Sequence, residues 1–145
     1  MREAVPRSTD LVVCNPPYLP EAPRTLRGVG AHPLAAATIG TELLQQVIRD
    51  APALLSRRGE MFVISSSLAE PEVMEAVPKE MNVDRVASRI VPFDIEAVRG
   101  DGGTPYIQWL KEERGLQESA SGHHHAIVIY RIATERRLEE QGRGE

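Results

Sequence analysis

Apolar residues along this chain fall into two kinds of run, one continuous and one helically spaced. Asp10-Leu11-Val12-Val13-Cys14 is continuously apolar after one polar residue, and Asn15-Pro16-Pro17 stops it. So short a run without alternation suits a strand buried on both faces of a parallel sheet. Residues 19–37 hold Pro20, Pro23, Pro33 and two glycines and keep no period, which predicts a long loop over the end of that strand. From Gly40 onward Leu43, Leu44, Val47, Ile48, Ala51, Leu54 and Leu55 share one face of a 3.6-residue repeat, predicting a helix that Arg57-Arg58-Gly59 closes. Glu60-Met61-Phe62-Val63-Ile64-Ser65 then reads as a second buried strand. Strand, helix and strand in that order imply a right-handed parallel crossover.

Ser65-Ser66-Ser67 predicts a turn, and residues 68–81 a second helix with Pro71 near its start and Val73, Met74, Val77 and Met81 inward. Pro78 interrupts the last turn of that helix. Residues 83–98 are β-branched and partly alternating, a third strand bent at Pro92; residues 104–114 form a short helix carrying Trp109 and Leu110 inward; and His125 to Ile132 is a fourth strand. The fold class is therefore α/β. Residues 1–9 read as a truncated or linker start, 10–133 as a partial domain, and 134–145 as a charged, frayed tail.

Composition narrows the setting. The 145 residues are 41% apolar and 26% charged, a soluble globular balance. No apolar run approaches the roughly 20 residues of a membrane helix, and the first residues lack a signal-peptide core; the expectation is a cytoplasmic protein without a membrane partner. Cys14 is the single cysteine, which excludes an intrachain disulfide and a Cys-based zinc site. A net charge of −4 weakens any reading in which this chain alone grips a nucleic-acid backbone.

The sharpest chemistry lies in Asn15-Pro16-Pro17-Tyr18, at the carboxyl end of the first strand. Ligands of open α/β sheets sit just beyond such ends. The Asn15 side-chain carbonyl and the Pro16 carbonyl can accept the two hydrogens of a planar –NH2 group and leave its nitrogen facing an electrophile. Pro17 locks the turn and holds the residue before it extended, and Tyr18 offers a flat face for stacking. The same four residues also suit a rigid turn that merely closes a strand.

The stretch from Asp10 to Pro20, the helix opening at Gly40, Ala51-Pro52-Ala53-Leu54-Leu55 and Gly59-Glu60-Met61-Phe62-Val63-Ile64-Ser65 together resemble the class I S-adenosylmethionine-dependent methyltransferases that modify planar nitrogens. The likeness is to the protein-glutamine and N6-adenine methyltransferases of the HemK-like group, and it covers residues 10 to about 66, continuing beyond only in strand order. It implies a Rossmann-like sheet of which this chain is the carboxyl-terminal half, strands four to seven, the last inserted antiparallel between five and six. It implies S-adenosylmethionine as cofactor, Asn15 and Pro16 as catalytic residues, and Asn15, Pro16, Pro17 and Tyr18 as the acceptor site. The acceptor would be a protein glutamine or the amino group of adenine in a nucleic acid.

The family holds its cofactor on a Gly-rich loop and an acidic residue after earlier strands, and nothing before Asp10 carries either. The expected cofactor residues therefore belong to a missing amino-terminal region that Asn15 borders. The chain is expected to be a fragment, or half of a split enzyme, whose first strand is an edge open to a chain supplying the missing strands. The alternative is a non-catalytic methyltransferase-like interaction module that pairs with a cofactor-binding partner.

Other residues are less specific. Gly28-Val29-Gly30 and Gly100-Asp101-Gly102-Gly103 follow no strand-to-helix order and read as loops, and Arg99-Gly100-Asp101 as a turn. His123-His124-His125 tempts a metal reading, but an extended chain puts only His123 and His125 on one face, and no Cys or acidic partner is near in sequence. Cys14 reads as an inert buried thiol. Glu42 suits either a helix dipole or a substrate contact, and Ser65, Ser66 and Ser67 read as a polar turn, since a nucleophile would need a histidine and a carboxylate in register and the sequence shows no such set.

Overall fold

In the computed structural model, which describes residues 9–23, 40–96 and 104–134, the chain is α/β, with a mixed, open five-stranded sheet and three helices among those residues. Strand β1 (Thr9–Cys14) leads across to helix α1 (Glu42–Leu54) and strand β2 (Leu55–Ser66). A 3-10 turn (Ser67–Ala69) and helix α2 (Glu70–Ala76) precede strand β3 (Asn82–Phe93). Helix α3 (Thr104–Glu113), the short strand β4 (Gln117–Ser119) and strand β5 (Gly122–Ala133) complete it. The spatial order is β1-β2-β5-β3, with β4 against β5. Strands β1 and β2 run parallel, and β5 is antiparallel to both β2 and β3. The carboxyl ends of β1, β2 and β3 and the amino end of β5 therefore gather at one end of the sheet. No helix of the described residues is long and apolar enough to cross a membrane.

Side-chain alternation splits the sheet into two unlike faces. Val12, Met61, Val63, Val128, Tyr130 and Ile132 share the face on which α1 and α2 lie, and they form the main core with Leu44, Ile48, Ala51, Val73 and Ala76. Each large side chain fully buried there contributes about 1.5–3 kcal/mol. On the other face, Leu11, Val13, Phe62, Ile64, Ile127 and Ile129 belong to neither core. A second core of Leu19, Ala22, Leu68, Phe93, Tyr106, Ile107, Leu110 and Leu116 caps the end of the sheet where the carboxyl termini meet.

Several boundaries differ from the sequence expectation. Helix α1 stops at Leu54 rather than at Arg57-Arg58-Gly59; it runs through Pro52, and the Leu55 N–H makes its closing bond to the Ala51 carbonyl. Leu55 already takes extended angles (φ −82°, ψ 138°), so β2 begins there and not at Glu60. Leu43 and Met74, expected inward, are exposed. Helix α2 ends at Ala76, since Pro78 forces Val77 into an extended conformation (φ −65°, ψ 120°). Strand β3 ends at Phe93, where Asp94 Oδ1 accepts the Glu96 N–H and turns the chain; Pro92 is accommodated because β3 is an outer strand. Strand β4 has no periodic signal and was not expected. The amino-terminal start, the greater part of the loop after β1, both glycine clusters and nearly all of the charged tail lie outside the described residues.

Candidate functional site

Asn15, Pro16, Pro17 and Tyr18 leave the carboxyl end of β1, beside the carboxyl end of the parallel neighbour β2. Asn15 and Pro17 are exposed, Pro16 is buried and Tyr18 is half-buried, in contact with both cores. The segment is tied down just after the motif. The buried Tyr106 hydroxyl of α3 donates to the Pro20 carbonyl at 2.8 Å, and the Gly40 N–H donates to the Leu19 carbonyl at 2.8 Å. Gly40 has φ +130°, a region that a side chain would strain. Burial pushes the Tyr106 phenol well up, so it remains a donor throughout the physiological range.

The antiparallel insertion of β5 brings a histidine to this place. Register pairs Ser66 with Ile127, so His125, two residues earlier in β5, lies at the end of β2. His125 Nδ1 is 2.6 Å from Ser66 Oγ, and the Leu68 N–H also donates to that oxygen at 3.1 Å. A serine hydroxyl oxygen has two acceptor lone pairs, of which the Leu68 N–H occupies one, so the direction of the Ser66–His125 hydrogen bond follows the imidazole tautomer. The imidazole is buried, and desolvation holds its pKa below the usual histidine value. Its ring lies 5.1 Å from Phe93 edge-to-face and 6.3 Å from Tyr18 at an interplanar angle of 42°. Both separations are within the range of favourable ring contacts.

Sequence reasoning missed His125, Ser66, Phe93 and Tyr106 as parts of this site. It did contain the signal: a last strand running antiparallel beside β2 must bring its first residues to the serines at the end of β2. Ser65 and Ser66, expected in a turn, are the last residues of β2, and Ser66 meets one member of the histidine-and-carboxylate set that a nucleophilic serine needs. The pair is nonetheless no acyl-transfer dyad, since Ser66 is fully buried and no described carboxylate partners His125.

The remaining candidates are placed as follows. His123 faces Glu118 at 3.8 Å on β4, away from Ser66, and no metal-holding group of three His, Cys, Asp or Glu side chains occurs among the described residues. Cys14 is half-buried at the end of β1 and its thiol pKa is raised by desolvation, which suppresses the reactive thiolate. Glu42 is exposed in the first turn of α1. Among the described residues no glycine-rich turn joins a strand to a helix, and Gly59 lies inside β2, where a Cβ would fall 2.6 Å from the Thr9 carbonyl oxygen.

No protein-family model matches the chain, and no curated protein matches it.

Proposed function

We propose that this chain supplies the acceptor side of an S-adenosylmethionine-dependent N-methyltransferase acting on a planar amide or amino nitrogen. The observation that carries the reading is an exposed Asn15 where the carboxyl ends of β1 and β2 meet, followed by a half-buried Tyr18. In this reading the Asn15 side-chain carbonyl and the Pro16 carbonyl take the two hydrogens of the acceptor –NH2, Pro17 fixes the turn, and Tyr18 stacks on the planar group. The order β1-β2-β5-β3 with β5 antiparallel supports the reading as the carboxyl-terminal half of a Rossmann-like methyltransferase sheet. The donor's part is an electrophilic methyl group, and its binding residues would come from another stretch of polypeptide. The acceptor is a protein glutamine or adenine.

Acceptor binding needs no donor, so the 145-residue chain itself provides the test. Adenosine and N-acetylglutamine methylamide are titrated separately while the Tyr18 ring resonances are followed by NMR. One of the two should shift them saturably, and Asn15→Ala should abolish that shift while leaving thermal stability unchanged, because Asn15 is exposed. No saturable shift with either probe, or an unchanged one in Asn15→Ala, removes the reading.

One observation favours a second reading, a non-catalytic module that pairs with a cofactor-binding chain. Strand β1 is the outer strand of the sheet, and Leu11 and Val13 on its uncovered face are 60% and 66% exposed. An apolar outer strand invites another strand. Under this reading Val13→Lys prevents a stoichiometric complex in gel filtration and Asn15→Ala does not.

A further inference from the structure

We infer that His125 is a positioning residue that sets the ring of Tyr18, with Ser66 fixing the imidazole in turn. The inference rests on the acceptor-site reading of Tyr18 and adds to it the device that aims the stacking face. Tyr18 stands on the stretch that leaves β1, outside any strand or helix, and packs half-buried against both cores. A stacking platform is useful only if its plane is fixed before the acceptor arrives, since each side chain ordered on binding costs affinity.

Three contacts fix the imidazole. Ser66 Oγ holds Nδ1 at 2.6 Å and is itself held by the Leu68 N–H at 3.1 Å. Phe93 packs its ring edge-to-face at 5.1 Å. The backbone beside it is tied as well, because the Ala126 N–H donates to Ser67 Oγ at 3.0 Å. The fourth neighbour is Tyr18, at 6.3 Å and tilted by 42°. Thus β2, β3 and β5 each contribute to one base, and the half-buried Tyr18 lies against it. A merely structural histidine would need the Ser66 bond and the Phe93 contact but would have no effect on Tyr18.

The test separates the two. The χ1 couplings of Tyr18 are measured in the full chain, without any ligand, in wild type and in His125→Asn, Ser66→Ala and Ser66→Thr. Asparagine removes the ring but keeps a polar group for Ser66, and threonine restores the hydroxyl. The expected result is single-rotamer couplings in wild type, loss of them to averaged values in His125→Asn and Ser66→Ala, and recovery in Ser66→Thr. Methyl spectra of the two cores confirm that each variant is folded. Should His125→Asn unfold the chain, the contrast between Ser66→Ala and Ser66→Thr decides. Single-rotamer couplings retained in folded His125→Asn, or no difference between the two Ser66 variants, would overturn the inference. Because no ligand is used, this result is independent of whether adenosine or the glutamine amide binds; failure of the acceptor-site reading shows only in the Asn15→Ala titration.

Discussion

Tyr106 and Pro20 are 86 residues apart in sequence, and the phenol of the first donates to the carbonyl of the second at 2.8 Å inside the smaller core. This bond joins α3 to the stretch that carries Asn15 and Tyr18, so the position of the motif depends on a helix that follows β3. Tyr106→Phe leaves the buried Pro20 carbonyl without that donor and should cost about 1–3 kcal/mol. Urea denaturation measures the loss, and amide exchange should show it concentrated at the Leu19–Gly40 bond.

His125 gives stability a pH dependence of known sign. Its pKa in the folded chain is lowered by burial, so as the pH falls the unfolded chain takes up the proton first. The stability associated with the neutral ring is complete above the ordinary histidine value of about 6.5 and is lost as the pH falls below it. Unfolding free energy measured from about pH 7.5 down to about 5.5 should decline in wild type and decline less in His125→Asn. Equal slopes would show that His125 does not bear the proton linkage.

Arg114 closes the carboxyl end of α3 onto α2. Its two terminal nitrogens meet the two Glu72 oxygens at 2.6 Å each, one of them also donates to the Leu68 carbonyl at 3.1 Å, and the guanidinium lies 5.0 Å over Trp109. Lysine reproduces the charge but neither the fork nor the stacking. Arg114→Lys should cost about 1–2 kcal/mol, and a double-mutant cycle with Glu72→Gln should return a coupling of about 1 kcal/mol or more. Additive single effects would mean that the pair is spectator to the fold.

Gly59→Ala tests the seating of β1 on β2. The added methyl would stand 2.6 Å from the Thr9 carbonyl oxygen and 3.1 Å from the Leu55 side chain, so the amino end of β1 must move. A cost of about 1–3 kcal/mol is expected, with lost amide protection in β1 and unchanged protection in β5. An undiminished melting temperature would contradict the close approach of Gly59 to the Thr9 carbonyl.

What the sequence made legible was pattern, and what it hid was context. The continuous apolar runs of β1 and β2 and the helical spacing of Leu44, Ile48 and Ala51 are local signals, and an element forms over each, although Leu11 and Val13, expected buried, are exposed and β2 starts five residues early. Boundaries were lost where a single residue overruled the period, as Pro78 does at the end of α2. Strand β4 escaped notice because Gln117, Glu118 and Ser119 are all exposed and none is apolar. The residues around Tyr18 were hidden for another reason. Ser66 and His125 are 59 residues apart, and only the register of β5 on β2 makes them neighbours.

That register also orders events in time. Strand β5, residues 122–133, lies between β2 and β3, so a growing chain that has released β3 still has no strand to pair it with. Among the described strands the middle one is the last to be synthesised, and until it arrives β2 and β3 each present an unpaired ladder to the cell. Folding of this sheet is thus bound to follow translation of β5, and shortening the chain through residues 122–133 would remove the sheet's centre rather than trim its rim.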